Sequence, residues 1–289
     1  MESFITGASR TICLLGNPVS HSISPQIHNH AIHQLGLPFV YIPVKVESQQ
    51  LGCAVEMIRS DSFIGANVTI PHKQALIHYC DELSELSVRM GTVNTLYKRG
   101  GMLCGTTTDP EGFLRALSHT GHQLKDDSVI ILGNGGTART LAFALAIEGN
   151  CREISIAGRS LQRAASLAQS VSEGTGKEVG ALGLNGSEFE KSMKRSTLLV
   201  NCTSVGMKPN ENFSPVSKGL LHSEMTVFDC IYNPSETLLL KEARLKGCRV
   251  ANGLKMLLFQ ALASFKLWTG KTVPEDMYDM DLLTKLVEK

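Results

Sequence analysis

Hydrophobic and polar positions in the first third of the chain alternate between two periods. Short runs of apolar, often β-branched residues predict strands, and stretches with apolar residues every three or four positions predict helices. Pro25 behind Ser24 is a typical helix start. The predicted elements are strands 11–15, 39–46 and 64–70, separated by helices 24–35 and 48–59. This order predicts an α/β domain with a mostly parallel sheet.

A second strand-and-helix series begins near residue 128, after a predicted helix 110–119. We therefore expect two α/β domains, residues 1–108 and 109–253, of which the second is Rossmann-like. An apolar stripe through Leu258 and Phe265 predicts that the C-terminal segment 254–289, with helices 254–269 and 275–287, packs back on the first domain. The strands predicted for the second domain are 128–132, 153–157, 178–184, 197–201, 226–231 and 248–251.

A glycine-rich turn, Gly-Asn-Gly-Gly at 133–136, joins the first of these strands to helix 137–149. It has the G-x-G-x-x-A order of a dinucleotide-binding turn. There the first glycine permits the bend, the second admits a phosphate to bare backbone, and the alanine lets the helix pack closely. The helix N-terminus then offers N–H groups to an anion. The alternative is an ordinary tight turn. The residues expected to hold a pyrophosphate are Gly133, Gly135, Gly136, Thr137 and Ala138.

The next strand, 153–157, ends without a carboxylate. At this position an Asp or Glu binds the ribose 2′-hydroxyl of NAD, whereas arginine binds the 2′-phosphate of NADP. Arg159 and Arg163 are spaced i, i+4 at the start of the predicted helix 160–173, so we expect both on one face. The sequence therefore indicates NADP as the cofactor. The alternative is two solvated arginines on a surface helix.

Composition narrows the class of protein further. The 289 residues carry a net charge of +1, so neither nucleic acid nor an acidic membrane is an expected partner. No apolar run approaches about 18 residues and no signal peptide is recognisable, which predicts a soluble cytoplasmic protein. The eight cysteines include no C-x-x-C, which favours free thiols. His28, His30 and His33 lack the further ligands that zinc needs, so no metal is expected.

Polar segments follow or interrupt the predicted strands of the first domain, at 16–25, 67–73, 91–95 and 105–109. Because the carboxyl ends of parallel strands share one edge of a sheet, we expect these segments to converge. Together they offer hydroxyls, side-chain amides, one lysine and one aspartate. Such a set suits a small polyhydroxylated acid as ligand.

Eight motifs of the chain match one enzyme family in order and over nearly the whole length. The chain resembles the shikimate dehydrogenases, which reduce 3-dehydroshikimate with NADPH. The resemblance implies a place in chorismate and aromatic amino acid biosynthesis. The motifs are G-N-P-V-S-H-S-I-S-P (16–25), N-V-T-I-P-H-K (67–73), V-N-T (93–95), T-D-P-E-G (108–112), the glycine turn, N-C-T-S-V-G-M (201–207), Y-N-P (232–234) and N-G-L-K-M-L-L-F-Q (252–260).

The resemblance implies that Lys73 is the catalytic lysine and Asp109 its partner. Oxidation of an alcohol removes the hydroxyl proton as hydride leaves, and reduction returns it, so a lysine facing an aspartate suits this chemistry. The sequence does not decide which side chain holds the proton. Taken singly, Lys73 is equally typical of a solvated helix start, and Asp109 of an N-cap before Pro110.

The resemblance also implies a substrate pocket and contacts to the nicotinamide. Hydroxyl and amide groups suit a carboxylate and ring hydroxyls. Helix capping is the alternative for Ser24, and a polar helix position for Gln260. The implied substrate-binding residues are Ser22, Ser24, Thr69, Asn94, Tyr232 and Gln260, and those near the nicotinamide are Thr203, Ser204, Met207 and Gly253.

The chain departs from the family pattern at several positions, but none of them removes a proton-transfer group. Two other functions stay open: a quinate/shikimate dehydrogenase with broader substrate or cofactor use, and a non-catalytic ligand sensor on the same fold. A small-molecule partner, and a monomer or homodimer, fit all three. The departures are Thr107 for a common asparagine, Gly158 and Ser160 for asparagine and threonine around Arg159, and Asn134 and Lys255.

Overall fold

The computed structural model describes residues 5–287, which form two compact units. The first unit contains residues 5–109 and Gln260–Asp279, and the second contains Pro110–Phe259 and residues 280–287. No helix within 5–287 combines the length and apolar content that crossing a lipid bilayer requires.

The first unit is built on a six-stranded sheet in the order β2-β1-β3-β5-β6-β4. The β1–β2, β1–β3 and β4–β6 pairs are parallel, whereas β5 runs antiparallel to both β3 and β6. The predicted mostly parallel sheet is confirmed. The strands are β1 (Arg10–Gly16), β2 (Phe39–Lys45), β3 (Phe63–Val68), β4 (Glu82–Leu83), β5 (Thr95–Arg99) and β6 (Met102–Thr106).

The β5–β6 hairpin was not predicted from the sequence. Its turn is Gly100-Gly101, with φ of +59° and +83°, which is the backbone that a two-residue hairpin turn of the right twist requires. Gly-Gly between two apolar segments was the available signal. Only the polar segments 91–95 and 105–109, at the two ends of the hairpin, were predicted, and no strand was predicted between them.

Helices and one core cluster cover this sheet. The predicted helix 48–59 divides into a 3-10 turn, Ser48–Gln50, and a helix that begins at Leu51. His28 stacks on Tyr41 with ring centroids 4.3 Å apart, and burial lowers the pKa of His28 to about 3. His28 is therefore part of the packed interior. The helices are α1 (Ser24–Gln34), α2 (Leu51–Arg59) and α3 (Glu85–Met90), with a further 3-10 turn at Ala75–Tyr79.

The second unit has a fully parallel six-stranded sheet, in the order β12-β11-β10-β7-β8-β9. Counted from β7, this is the 3-2-1-4-5-6 order of dinucleotide-binding folds. The Rossmann-like prediction is confirmed. Its strands, near the six predicted positions, are β7 (Lys125–Leu132), β8 (Asn150–Gly158), β9 (Gly180–Gly183), β10 (Leu198–Asn201), β11 (Thr226–Asp229) and β12 (Arg249–Ala251).

The C-terminal segment is divided between the units. Of the residues 254–289 expected to pack on the first domain, Gln260–Asp279 group with the first unit, but 254–259 and 280–287 group with the second. Asn233 Nδ2 donates to the Val287 carbonyl at 2.7 Å, which fixes the last helix to the second unit. The remaining helices are α4 (Asp109–Ser118), α5 (Gly136–Glu148), α6 (Leu161–Thr175), α7 (Ser187–Arg195), α8 (Leu238–Leu245), α9 (Leu254–Thr269) and α10 (Met280–Val287).

Candidate active site

Three chain segments meet at one edge of the first unit's sheet. Asn67 near the end of β3 pairs with Thr95 at the start of β5, and Thr95 pairs with Thr106 at the end of β6. Since β5 is antiparallel, the segment before it reaches the same edge as the segments that follow β3 and β6. The polar loops converge here. The segment 91–95 leads into β5, whereas the sequence predicted that it follows a strand.

Lys73 and Asp109 form an ion pair at this edge. Lys73 Nζ donates to Asp109 Oδ2 at 2.6 Å, and the two side chains are 29% and 14% exposed. The backbone of Lys73 is fixed because its carbonyl accepts from Val93 N at 2.8 Å. Partial exposure leaves the pair within reach of a ligand, while the backbone bond keeps the lysine at a defined position.

Asn94 holds the Asp109 carboxylate from the other side. Its Nδ2 donates to Asp109 Oδ1 at 2.8 Å, and its Oδ1 accepts from Thr108 N at 2.9 Å. Both carboxylate oxygens of Asp109 are therefore bound by side chains, which orients the group toward Lys73. Gln260 Oε1 lies 3.5 Å from the same Nδ2, so Gln260 has the buried partner that a polar residue in an apolar stripe needs.

A buried polar network that the sequence analysis did not include lies next to Asn94. Thr95 Oγ1 lies 2.8 Å from Ser264 Oγ, and Asn67 Nδ2 donates to Ser264 Oγ at 3.0 Å. Asn67 also accepts from the Tyr41 hydroxyl at 2.9 Å. Ser264 follows Gln260 by one helical turn, and that spacing was the signal for a second inward polar residue. A satisfied buried network of this kind holds one arrangement of its members.

Ser22 and Ser24 are hydrogen-bonded to each other. Ser22 Oγ donates to Ser24 Oγ at 3.1 Å, and Ser24 is 6% exposed. The residue at the N-cap of α1 is Ile23, which makes no side-chain cap bond, so Ser24 does not cap this helix. Burial raises the pKa of Tyr41, and a hydrogen bond with Ser24 opposes that rise. The serine pair is thereby linked to the Tyr41–Asn67 bond.

The remaining substrate candidates differ in their surroundings. Thr69 directly follows β3, is half-buried, and donates its N–H to the Leu15 carbonyl at 2.9 Å. Tyr232 follows β11 in the second unit, where burial raises its pKa. Thr107, one of the departures, is 5% exposed, and its hydroxyl has no hydrogen-bond partner within residues 5–287.

The glycine turn of the second unit has the geometry of a phosphate site. Gly133 has a φ of +107°, and a Cβ there would lie 3.1 Å from the Cys202 carbonyl oxygen. Gly135 is the N-cap of α5 and makes no side-chain cap bond, and Gly136 and Thr137 are exposed in the first turn. Ala138 is fully buried. The first-turn N–H groups of α5 are thus available to an anion.

A cavity of about 700 Å³ opens beside this turn, within the second unit. Of the predicted cofactor residues, six line it, whereas Gly136, Thr137, Ala138, Met207 and Gly253 do not. Asn210, Phe213 and Ser214 were not predicted, because this part of the loop after β10 carries no dinucleotide signature. The predicted lining residues are Gly133, Gly135, Arg159, Arg163, Thr203 and Ser204, and the others include Asn134, Ser160, Leu184, Asn210, Phe213 and Ser214.

Arg159 and Arg163 are exposed, and neither guanidinium makes an ion pair in the part of the chain that the structure describes. Helix α6 begins at Leu161, with Ser160 as its N-cap accepting from Arg163 N at 3.3 Å. Arg159 therefore precedes the helix, and the expected common helix face is not the reason that the two approach each other. Both line the same cavity, Arg159 from the β8–α6 turn and Arg163 from the first turn of α6.

Gly253 is required by packing. A Cβ on it would lie 2.1 Å from the Cys230 carbonyl oxygen. We expect Gly253→Ala to destabilise the protein by about 1–3 kcal/mol, seen as a lower Tm in calorimetry. Gly135→Ala is the matched control, because a Cβ there meets nothing within 4 Å. Equal Tm values for the two variants would contradict this role of Gly253.

Asp229 and Asn201 join the ends of β11 and β10. Asn201 Nδ2 donates to Asp229 Oδ1 at 2.9 Å, and Thr237 Oγ1 donates to Asp229 Oδ2 at 2.7 Å. Asn201 Oδ1 in turn accepts from Thr203 Oγ1 at 2.7 Å, which positions a predicted cofactor residue. Burial raises the pKa of Asp229 to about 6 despite these donors.

The raised pKa of Asp229 predicts a pH effect on stability. The folded protein binds this proton more tightly than the unfolded chain, so the stabilisation by protonated Asp229 is fully present below about pH 4 and is lost as the pH rises from there through about 6. Asp229→Asn removes the titration. Its carbonyl oxygen can still accept from Asn201 Nδ2, while its amide nitrogen donates to Thr237 Oγ1 and so reverses the direction of that bond. Between pH 4 and pH 7, we expect the free energy of unfolding of the variant to rise by about 3 kcal/mol relative to that of the unmodified protein. Urea unfolding at each pH measures both values. The same pH dependence of the free energy of unfolding in both proteins would contradict this prediction.

The parallel sheet, its strand order and the glycine turn place the protein in the class of dinucleotide-binding α/β enzymes. Sequence models of three domains match the chain: "Shikimate dehydrogenase substrate binding domain" at residues 14–96, "Shikimate / quinate 5-dehydrogenase" at 115–207, and "Shikimate 5'-dehydrogenase C-terminal domain" at 253–276. The shikimate dehydrogenase (NADP(+)) of Methanopyrus kandleri is 41% identical over 94% of both chains.

Solved structures agree with this match. The shikimate 5-dehydrogenase of Listeria monocytogenes, in complex with shikimate and NAD, has a TM-score of 0.90 and 33% identity over 98% of each chain. The Thermus thermophilus enzyme with NADP(H) and shikimate has a TM-score of 0.82 and 34% identity, covering 96% of this chain and 98% of that one. The chain belongs to the shikimate dehydrogenase family.

Proposed function

We propose that this protein catalyses the reversible, NADP-dependent reduction of 3-dehydroshikimate to shikimate in aromatic amino acid biosynthesis. The observation that carries the proposal is the Lys73–Asp109 pair, 2.6 Å apart and partly exposed at the sheet edge where the polar segments converge. Relatives named shikimate dehydrogenase (NADP(+)) support the enzyme over the ligand sensor.

Lys73 and Asp109 serve the proton half of the reaction. Bound NADPH supplies the hydride that reduces the ketone carbon. Lys73 Nζ delivers a proton to the ketone oxygen as it becomes a hydroxyl, and takes it back when the alcohol is oxidised. Asp109 orients the ammonium and accepts a hydrogen bond from the substrate hydroxyl. Asn94 keeps the carboxylate in place through its 2.8 Å bond to Oδ1.

The substrate pocket that we propose uses neutral donors. The Ser22 and Ser24 hydroxyls bind the carboxylate of the substrate, while Thr69, Asn94 and Gln260 bind ring hydroxyls. Tyr232 completes the set. Such a pocket rejects analogues that leave its polar groups without partners, which is how it separates closely related ring acids.

The residues of the cavity in the second unit fit NADP. The open glycine turn and the first-turn N–H groups of α5 suit a pyrophosphate, and Arg159 and Arg163 suit a 2′-phosphate. Neither arginine makes an ion pair within residues 5–287, so both are available to it. We assign Thr203, Ser204 and Met207, which follow β10, to contacts with the nicotinamide. We assign the first unit, which includes Asp109 and Gln260, to substrate binding and the second unit to NADP binding. We infer a cytoplasmic monomer or homodimer.

Nicotinamide absorbance of the purified protein tests this function. Shikimate and quinate are each combined with NADP and with NAD, and shikimate with NADP is expected to give the highest kcat/KM. Turnover of quinate ahead of shikimate would overturn the proposed substrate. Absence of turnover in all four combinations, with shikimate binding retained in calorimetry, would favour the ligand sensor.

A further inference from the structure

Phe213 presents an apolar ring to the cavity of the second unit. The residue is 62% exposed, and it is the only aromatic residue among those that line the cavity. The other apolar lining residues, Leu184, Val205 and Pro215, are half-buried by the protein itself. Phe213 therefore has the largest apolar surface that a bound ligand can remove from water.

The loop that carries Phe213 is held by its own hydrogen bonds. Phe213 N donates to the Asn210 carbonyl at 3.2 Å, and Asn210 N donates to the Met207 carbonyl at 2.6 Å. Ser214 Oγ donates to the Val216 carbonyl at 2.9 Å, and Val216 is buried in the core of the unit. The ring is thus displayed from a fixed backbone, and its exposure is a property of the folded protein.

The position of the loop determines what reaches the ring. In a dinucleotide-binding sheet the residue after the second strand, here β8, contacts the ribose that bears the base. Arg159 holds that place, and residues of the loop after β10 line the same cavity. A base attached to this ribose must then contact a wall of the cavity next to Arg159. Of the residues that line this cavity, only Phe213 offers an aromatic face.

We propose that Phe213 stacks on the adenine ring of NADP and sets much of the affinity for the adenosine half of the cofactor. The inference rests on the proposed NADP binding. A purine has two apolar faces that gain from contact with an aromatic ring, and such stacking tolerates the water that remains at the ring edge. Arg159 offers its planar guanidinium to the same nucleotide.

Calorimetric titration of the full chain with adenosine 2′,5′-bisphosphate tests the proposal. This probe has the adenine and the 2′-phosphate but no nicotinamide. We expect Phe213→Ala to weaken its binding by roughly 5- to 100-fold, and Phe213→Tyr to stay within a few-fold of the unmodified protein. Leu245→Ala is the matched control, since Leu245 is 68% exposed in the same unit but does not line the cavity.

A Phe213→Trp variant adds a spectroscopic readout. We expect the probe to quench its added tryptophan fluorescence, whereas Trp268 of the unmodified protein lies in the first unit and is expected to report no such change. Equal affinity of Phe213→Ala and the unmodified protein, or no quenching in Phe213→Trp, would overturn the stacking alone. Failure of the unmodified protein to bind the probe would instead overturn the proposed NADP site.

Discussion

Replacing Lys73 with alanine is expected to lower kcat by about 10²- to 10⁴-fold. The variant removes the ammonium that lies 2.6 Å from Asp109, and with it the group that we assign to proton transfer. Stability should change little, because ion pairs that are partly exposed contribute about 1 kcal/mol or less. Absorbance assays with shikimate and NADP give kcat and KM separately, and calorimetry gives the Tm.

Arg59→Ala is the matched control for Lys73→Ala. Arg59 pairs with Asp81 at 2.7 Å, with side chains 32% and 37% exposed, but it lies before β3 at the opposite edge of the same sheet. We expect this variant to keep its kcat. If Lys73→Ala kept its kcat and only raised KM for shikimate, Lys73 would bind the substrate without transferring the proton.

Removing both Arg159 and Arg163 is expected to raise KM for NADP by about 10²-fold or more while changing KM for NAD only a few-fold. Each charge-assisted hydrogen bond to a phosphate contributes about 1.5–3 kcal/mol, and NAD has no 2′-phosphate to lose. Steady-state kinetics with both cofactors measure the ratio of KM for NAD to KM for NADP. This ratio should fall toward that of an enzyme without a cofactor preference.

The control for the arginine variant is Arg152→Ala. Arg152 lies near the start of β8, the strand that Arg159 follows. Its side chain is 55% exposed and lies 3.6 Å from Asp126. Its loss should leave both KM values unchanged. An equal rise of KM for NADP and NAD in the Arg159/Arg163 variant would show that the arginines bind a part that the two cofactors share.

The second unit was largely predictable from the sequence. Its strands are continuous buried runs such as 129–132. The strands of a parallel sheet are covered on both faces, so they are recognisable in the sequence as continuous hydrophobic runs. The glycine turn identified its function class. The wall formed by the loop after β10 was not predictable, because Phe213 is an exposed aromatic residue without a motif and only the fold brings it to the cavity.

The first unit was harder to predict at its site. The family motifs predicted Lys73, Asp109 and Asn94 as site residues, but they did not predict the contacts among them. Asn94 bonds Thr108, which lies 14 residues away, and Thr95 reaches Ser264 across 169 residues. Such pairs form only when a hairpin and a C-terminal helix meet at one sheet edge. Hydrophobic periodicity does not encode polar contacts of that sequence separation.

The Gly100-Gly101 turn has a practical use. It lies at the far end of β5 and β6 from Lys73 and Asp109, and both glycines are exposed with positive φ. A Cβ at either position would meet nothing within 4 Å. Surface hairpin tips of this kind accept inserted sequence with little loss of folding. An affinity tag or fluorescent reporter placed between these glycines would leave the chemistry at the opposite edge undisturbed.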